Sequence, residues 1–102
     1  MEQKVSKHYQ EDRKKREQII QLLIGEGEEV DTFRRIDEKG RVTYHTITTT
    51  GIIIVKTATE KIVTKIIASP NQIKRYFDVI TEQIQAIIDL AAKHMKFGYS
   101  QV

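Results

Sequence analysis

The sequence predicts an α+β domain: an N-terminal helix, a four-stranded antiparallel sheet in meander order, and a long amphipathic C-terminal helix. Three observations carry that expectation. Apolar residues recur at helical spacing before Gly25, the rhythm shortens to two residues from Val30, and steps of four and three return after Asn71. The 102 residues fit one domain, and 39% hydrophobic against 30% charged residues describes a globular chain whose core is thin for its surface.

The first helix is expected over residues 6 to 25. Tyr9, Arg13, Arg16, Ile20, Leu23 and Ile24 share a stripe, while Glu11, Asp12, Lys14, Lys15 and Glu17 face elsewhere. Ser6 suits the N-cap, where a hydroxyl accepts from the first free amides. Gly25 and Gly27 end the helix, because glycine takes the left-handed backbone that a helix C-terminus often needs. The sheet follows over 30 to 68. Val30 to Ile36 and Arg41 to Thr49 are β-rich runs joined by Asp37-Glu38-Lys39-Gly40, with glycine where positive φ is wanted. Ile52 to Val55 is a continuous β-branched run of the kind found in a strand covered on both faces. The fourth strand, Ile62 to Ala68, alternates Ile62, Thr64 and Ile66 with Val63, Lys65 and Ile67. Short turns between neighbours require antiparallel pairing.

The last helix is expected over 71 to 97, opened by Ser69-Pro70-Asn71. Ile73, Phe77, Ile80, Ile84, Ile87 and Ala91 then fall in alternating steps of four and three, a seam of a and d positions that Ile88 widens. Such a seam can cover a sheet, meet the first helix, or pair with its twin. Self-association as a dimer through Ile73, Phe77, Ile80, Ile84, Ile87, Ile88 and Ala91 is the expectation taken forward.

Residue usage narrows the chemistry. The chain has no cysteine, its three histidines are far apart, and no His-x-x-x-His or His-Glu-x-x-His spacing occurs, so no metal or other cofactor is expected. Serine occurs at 6, 69 and 100, none in a Gly-x-Ser-x-Gly elbow, and no glycine-rich phosphate loop is present. The start of the chain lacks an apolar run of signal-peptide length and the longest such run is too short to span a bilayer, which points to the cytoplasm and away from the membrane.

Net charge is +3, and residues 41 to 75 carry six Lys or Arg against one Asp or Glu. An anionic partner is therefore a reasonable expectation, with Lys14, Arg16, Arg35, Lys74 and Arg75 as the residues to meet phosphates. Alternation along a strand allows only one of Arg34 and Arg35 into any single patch. Tyr76 adjoins the seam residue Phe77, so burial under the sheet is expected of it before stacking on a base. His94 reads as a packing residue. His45 is expected to point outward with Thr43 and Ile47, opposite Val42 and Tyr44. His8 has the more pointed context, since Asp12 lies four residues on and can orient it; a solvated basic helix face is the plainer reading of that segment.

The helix beginning Ser6-Lys7-His8 and rich in arginine, followed by strands reading Gly51-Ile-Ile-Ile-Val and Lys61-Ile-Val-Thr-Lys-Ile, resembles the barnase, colicin and RelE-like group of small metal-independent ribonucleases. The stretch from Ile66 to Phe77 is similar to small proteins of Gram-positive phages and prophages. The resemblance covers residues 6 to 77. It implies RNA cleavage by in-line attack of a ribose 2′-hydroxyl, with His8 and Arg13 on the helix and Thr64 and Lys65 on the strand as catalytic residues. Two departures stand against it: Thr64 and Lys65 alternate across their strand, and the long seam is foreign to that pattern. Two functional expectations follow. One is a phage-type interaction protein, an inhibitor or accessory factor that binds a protein partner and self-associates through its last helix. The other is an RNA-binding domain or metal-independent endoribonuclease.

Overall fold

A computed structural model of the chain describes residues 7 to 98, with side chains from Arg13 onward. The order is α1 (Lys7–Ile19), a π-helical turn (Ile20–Ile24), β1 (Glu29–Ile36), β2 (Val42–Thr48), β3 (Ile52–Thr57), β4 (Ile62–Ile67), α2 (Pro70–Tyr76) and α3 (Glu82–Lys96). The four strands form one antiparallel sheet in the order β1-β2-β3-β4, the meander that the short turns predict. No helix among the described residues is long and apolar enough to cross a membrane.

The first helix departs from its predicted phase near its end. The Gly25 amide bonds the Ile20 carbonyl at 2.7 Å, the five-residue reach of a π turn. That wider turn buries Ile20 and leaves Ile24, with Ile19 from outside the predicted stripe, packed on Ile52, Ile54 and Ile67, while Leu23, predicted to share the stripe with Ile20 and Ile24, is 64% exposed.

The turn from β1 to β2 forms as its residues dictate. Asp37 Oδ1 accepts the Lys39 and Arg41 amides, Oδ2 meets Arg41 Nε at 2.9 Å, and Gly40 sits at φ 79°. These bonds to its charged form, the Arg41 amide first among them, hold the Asp37 carboxyl below its ordinary value. The β3–β4 turn repeats the backbone bonding, Thr57 N to Lys61 O and Glu60 N to Thr57 O, but places Glu60 at φ 64° where its twin has glycine.

Both faces of the sheet are covered. Ile47, Ile53 and Val55 lie under α2 and α3, and Ile52, Ile54 and Ile67 lie under the π turn, so the run Ile52 to Val55 is buried throughout as its composition predicts.

The predicted single helix over 71 to 97 is two helices. Ser69 Oγ accepts the Gln72 amide to start α2, Phe77 is extended (φ −124°, ψ 124°), and Thr81 Oγ1 accepts the Ile84 amide to start α3. A straight helix of that length would run about 40 Å, whereas strands of six to eight residues span about 20–27 Å. The break at 77 to 81 turns the chain so that both pieces lie on one sheet face. The seam is spent there: Ile73, Ile84, Ile87, Ile88 and Ala91 are each no more than 4% exposed and pack with Ile47, Ile53 and Val55, and Phe77 packs beside them. Ile80 alone of the seven is exposed, at 40%. The residues expected to carry self-association are therefore, Ile80 apart, packed within the chain against the sheet. His94 is buried as a packing residue, and its Nε2–H donates to the Thr50 carbonyl at 2.9 Å.

Candidate functional site

Two clefts collect the residues that the sequence singles out, one at each edge of the sheet. The larger, about 530 Å³, lies between α1 and β4 and is lined by Arg13, Glu17, Ile20, Gln21, Glu26, Ile62, Thr64 and Lys65. The structure thus brings Arg13, Thr64 and Lys65 together; the side chain of His8 lies outside the described residues. Thr64 and Lys65 share this cleft although they alternate along β4, and the reason is their place on an edge strand. Register shifts there, Val55 pairing with Thr64 and Lys56 with Ile62, and with no further strand outside β4 a cleft can wrap its edge.

The cations of this cleft are committed to the scaffold. Arg13 Nη2 donates to the Val63 carbonyl at 2.8 Å and its Nε faces Glu17 at 3.5 Å. Arg16 Nη2 donates to Thr64 Oγ1 at 3.0 Å, and Lys65 Nζ meets Glu26 Oε2 at 2.8 Å. These contacts dock α1 on the sheet and cover the backbone edge of β4, a position that would otherwise invite another strand. A guanidinium or ammonium that stabilises a phosphorane must instead be directed at substrate.

The second cleft, about 310 Å³, lies between the outer edge of β1 and α2, and Phe33, Arg34, Arg35, Gln72, Arg75 and Tyr76 line it. Arg34 and Arg35 both contribute, against the expectation from alternation, because β1 is the other edge strand and the cleft wraps it. The wall is aromatic. Phe33 stacks on Tyr76 with centroids 5.3 Å apart and meets Phe77 edge-on at 5.1 Å, and the Arg35 guanidinium carbon lies 5.6 Å from the centre of the Tyr76 ring. Tyr76 is thereby packed against the sheet, as its place beside Phe77 predicts. The Gln72 side-chain oxygen is buried with no hydrogen-bond partner. Among the described residues, Arg34, Arg35, Lys74 and Arg75 make no ion pair, in contrast to Arg13, Arg41, Lys56 and Lys65. Lys74 is exposed on α2 beside this cleft, while Lys14 is exposed on α1. The predicted nucleic-acid residues therefore divide: Arg35, Lys74 and Arg75 gather at β1 and α2, and Lys14 and Arg16 lie with α1.

His45 was missed as a member of this region. It pairs across the strands with Phe33, so its side chain shares the face covered by α2 and does not point outward. Its ring lies 6.1 Å from that of Tyr76; Nδ1 is 3.4 Å from the Tyr76 hydroxyl and Nε2 is 3.0 Å from Thr43 Oγ1. Burial, followed by the nearby Arg35 charge, pushes its pKa below the ordinary value. The signal that could have found it was the shared parity of His45 and Ile47, the one aliphatic residue between Tyr44 and Gly51 and so the marker of the core face. Among the described residues no group of three or more His, Asp or Glu side chains is placed to hold a metal ion.

Comparison of the chain with protein-family models, with curated proteins and with solved structures finds no match.

Proposed function

We propose that the protein is a binding module for single-stranded RNA, which it grips in the cleft between β1 and α2. The observation that carries this reading is the contrast between the two edges. At the α1–β4 cleft the cations are held by protein oxygens, whereas Arg34, Arg35 and Arg75 line the β1–α2 cleft with Phe33 and Tyr76 and have no carboxylate partner among the described residues. Guanidinium groups next to aromatic rings suit a flexible strand, whose phosphates and bases meet them together. Three phosphate contacts give a slope of log affinity against log salt of about −2 for a single strand. Fluorescence anisotropy with a labelled oligouridylate across a salt series measures that slope. Arg35→Glu with Arg75→Glu should abolish binding; undiminished binding by that variant, or none by the wild type at low salt, refutes the reading.

A second reading, a protein partner, is supported by a different surface. Leu22 and Leu23 are 77% and 64% exposed and, with Lys15, Gln18 and Ile19, line a shallow apolar depression on the outside of α1 and the π turn. Contiguous exposed apolar side chains on so small a domain are a mark of protein contact.

A further inference from the structure

His45 stands directly behind the wall of the β1–α2 cleft, and its two ring nitrogens are both engaged. Nε2 meets Thr43 Oγ1 on its own strand and Nδ1 meets the hydroxyl of Tyr76 on α2. Of the other elements packed on it, β1 presents Phe33 directly opposite and Arg35 beside it, and β3 presents Val55. Arg35 is the charge that acts on the imidazole. A proton on His45 therefore enters a half-buried site facing a second cation, with no carboxylate in contact among the described residues. An anion seated between Arg35 and Arg75 would supply the missing counter-charge.

The hydrogen bonds supply a second link. In the neutral ring one nitrogen donates and the other accepts, so the Tyr76 hydroxyl can spend its proton on Nδ1. In the imidazolium both nitrogens donate. The Tyr76 oxygen must then accept from Nδ1, and its own proton turns away from the ring, free to donate to a ligand in the cleft that Tyr76 lines.

We propose that His45 is a positioning residue that couples proton uptake to anion binding in this cleft, its imidazolium turning the Tyr76 hydroxyl toward a phosphate held by Arg35 and Arg75. The coupling rests on the RNA-binding reading of the same cleft. Linkage is reciprocal: a ligand that prefers protonated His45 binds more tightly as pH falls, and it raises the pH at which His45 titrates. For one proton the affinity changes by at most about tenfold per pH unit.

The test uses the whole chain and an oligouridylate without terminal phosphate, so that the ligand itself does not titrate between about pH 5 and 8. Affinity should rise several-fold as pH falls across His45's range; His45→Gln should flatten that profile, and Tyr76→Phe, which removes the hydroxyl link and leaves the imidazolium charge, should make it shallower. A profile in His45→Gln as steep as the wild type overturns the coupling and leaves RNA binding standing. If His45→Gln fails to fold, the ring-proton titration of His45 in the wild type decides: a midpoint raised by the oligouridylate supports the coupling, and an unmoved midpoint in the presence of bound ligand overturns it. Absence of binding at every pH removes the RNA-binding reading and the coupling with it.

Discussion

Truncating one residue of the C-terminal seam distinguishes a core from an interface. Ile87 is 2% exposed and sits in the cluster that holds Ile47, Ile53 and Ala91, with its Cγ2 3.9 Å from where a side chain on Gly51 would begin. Ile87→Ala removes three carbons, worth about 2.4 kcal/mol at about 0.8 kcal/mol each, and the residual cavity brings the cost into the range of about 3–4 kcal/mol. Against a total stability of about 5–15 kcal/mol for a domain, that is a large fraction. Ile80 belongs to the same heptad pattern but is 40% exposed, so Ile80→Ala should cost well under about 1 kcal/mol. Urea unfolding of the three proteins at two concentrations a hundredfold apart reads both effects. A core assignment requires midpoints that do not move with concentration, whereas a dimer held through this seam gains about 2.7 kcal/mol over that range. Equal losses from Ile80→Ala and Ile87→Ala, or a concentration-dependent midpoint that Ile87→Ala abolishes, would refute the assignment.

Glu60→Gly should raise thermal stability by about 0.5–1 kcal/mol, because it relieves a left-handed backbone at φ 64° that glycine occupies at the equivalent Gly40, and the gain is smaller than the full strain because glycine loses more entropy on folding; a lower melting temperature would contradict the shared turn geometry. Leu22→Ser with Leu23→Ser should leave folding within about 0.5 kcal/mol per site and release whatever protein the wild type retains from lysate, while identical retention by the variant would argue against that surface.

The fold was largely legible because its signals are local. The run Ile52 to Val55, the Asp37–Gly40 turn and the helix start at Ser69 and Pro70 each act within a few residues, and these three formed where their residues placed them. The break in the last helix was also written locally, in Thr81, but the unbroken heptad spacing masked it. Spacing records which residues are apolar along a helix and is blind to whether the helix must bend to stay on its sheet.

The site was less legible, since it depends on which cations find partners. Arg13, Arg16, Arg35 and Arg75 look alike as letters. Two of them bond protein oxygens 48 and 50 residues away, and two line a cleft without a carboxylate. Alternation places Arg34 and Arg35, and Thr64 and Lys65, on opposite faces, but β1 and β4 are edge strands, and a cleft that wraps an edge takes side chains from both faces.

By itself the sequence determined the first helix, the four strands, their antiparallel order and the apolar stripes, because hydrophobic period, turn chemistry and capping are properties of short stretches of chain. Tertiary structure alone decided that the seam is core, that His45 lies behind Tyr76, and that the basic residues separate into a structural set and an unpaired set. Those outcomes depend on contacts between residues far apart in the chain, and no local pattern encodes a partner's position.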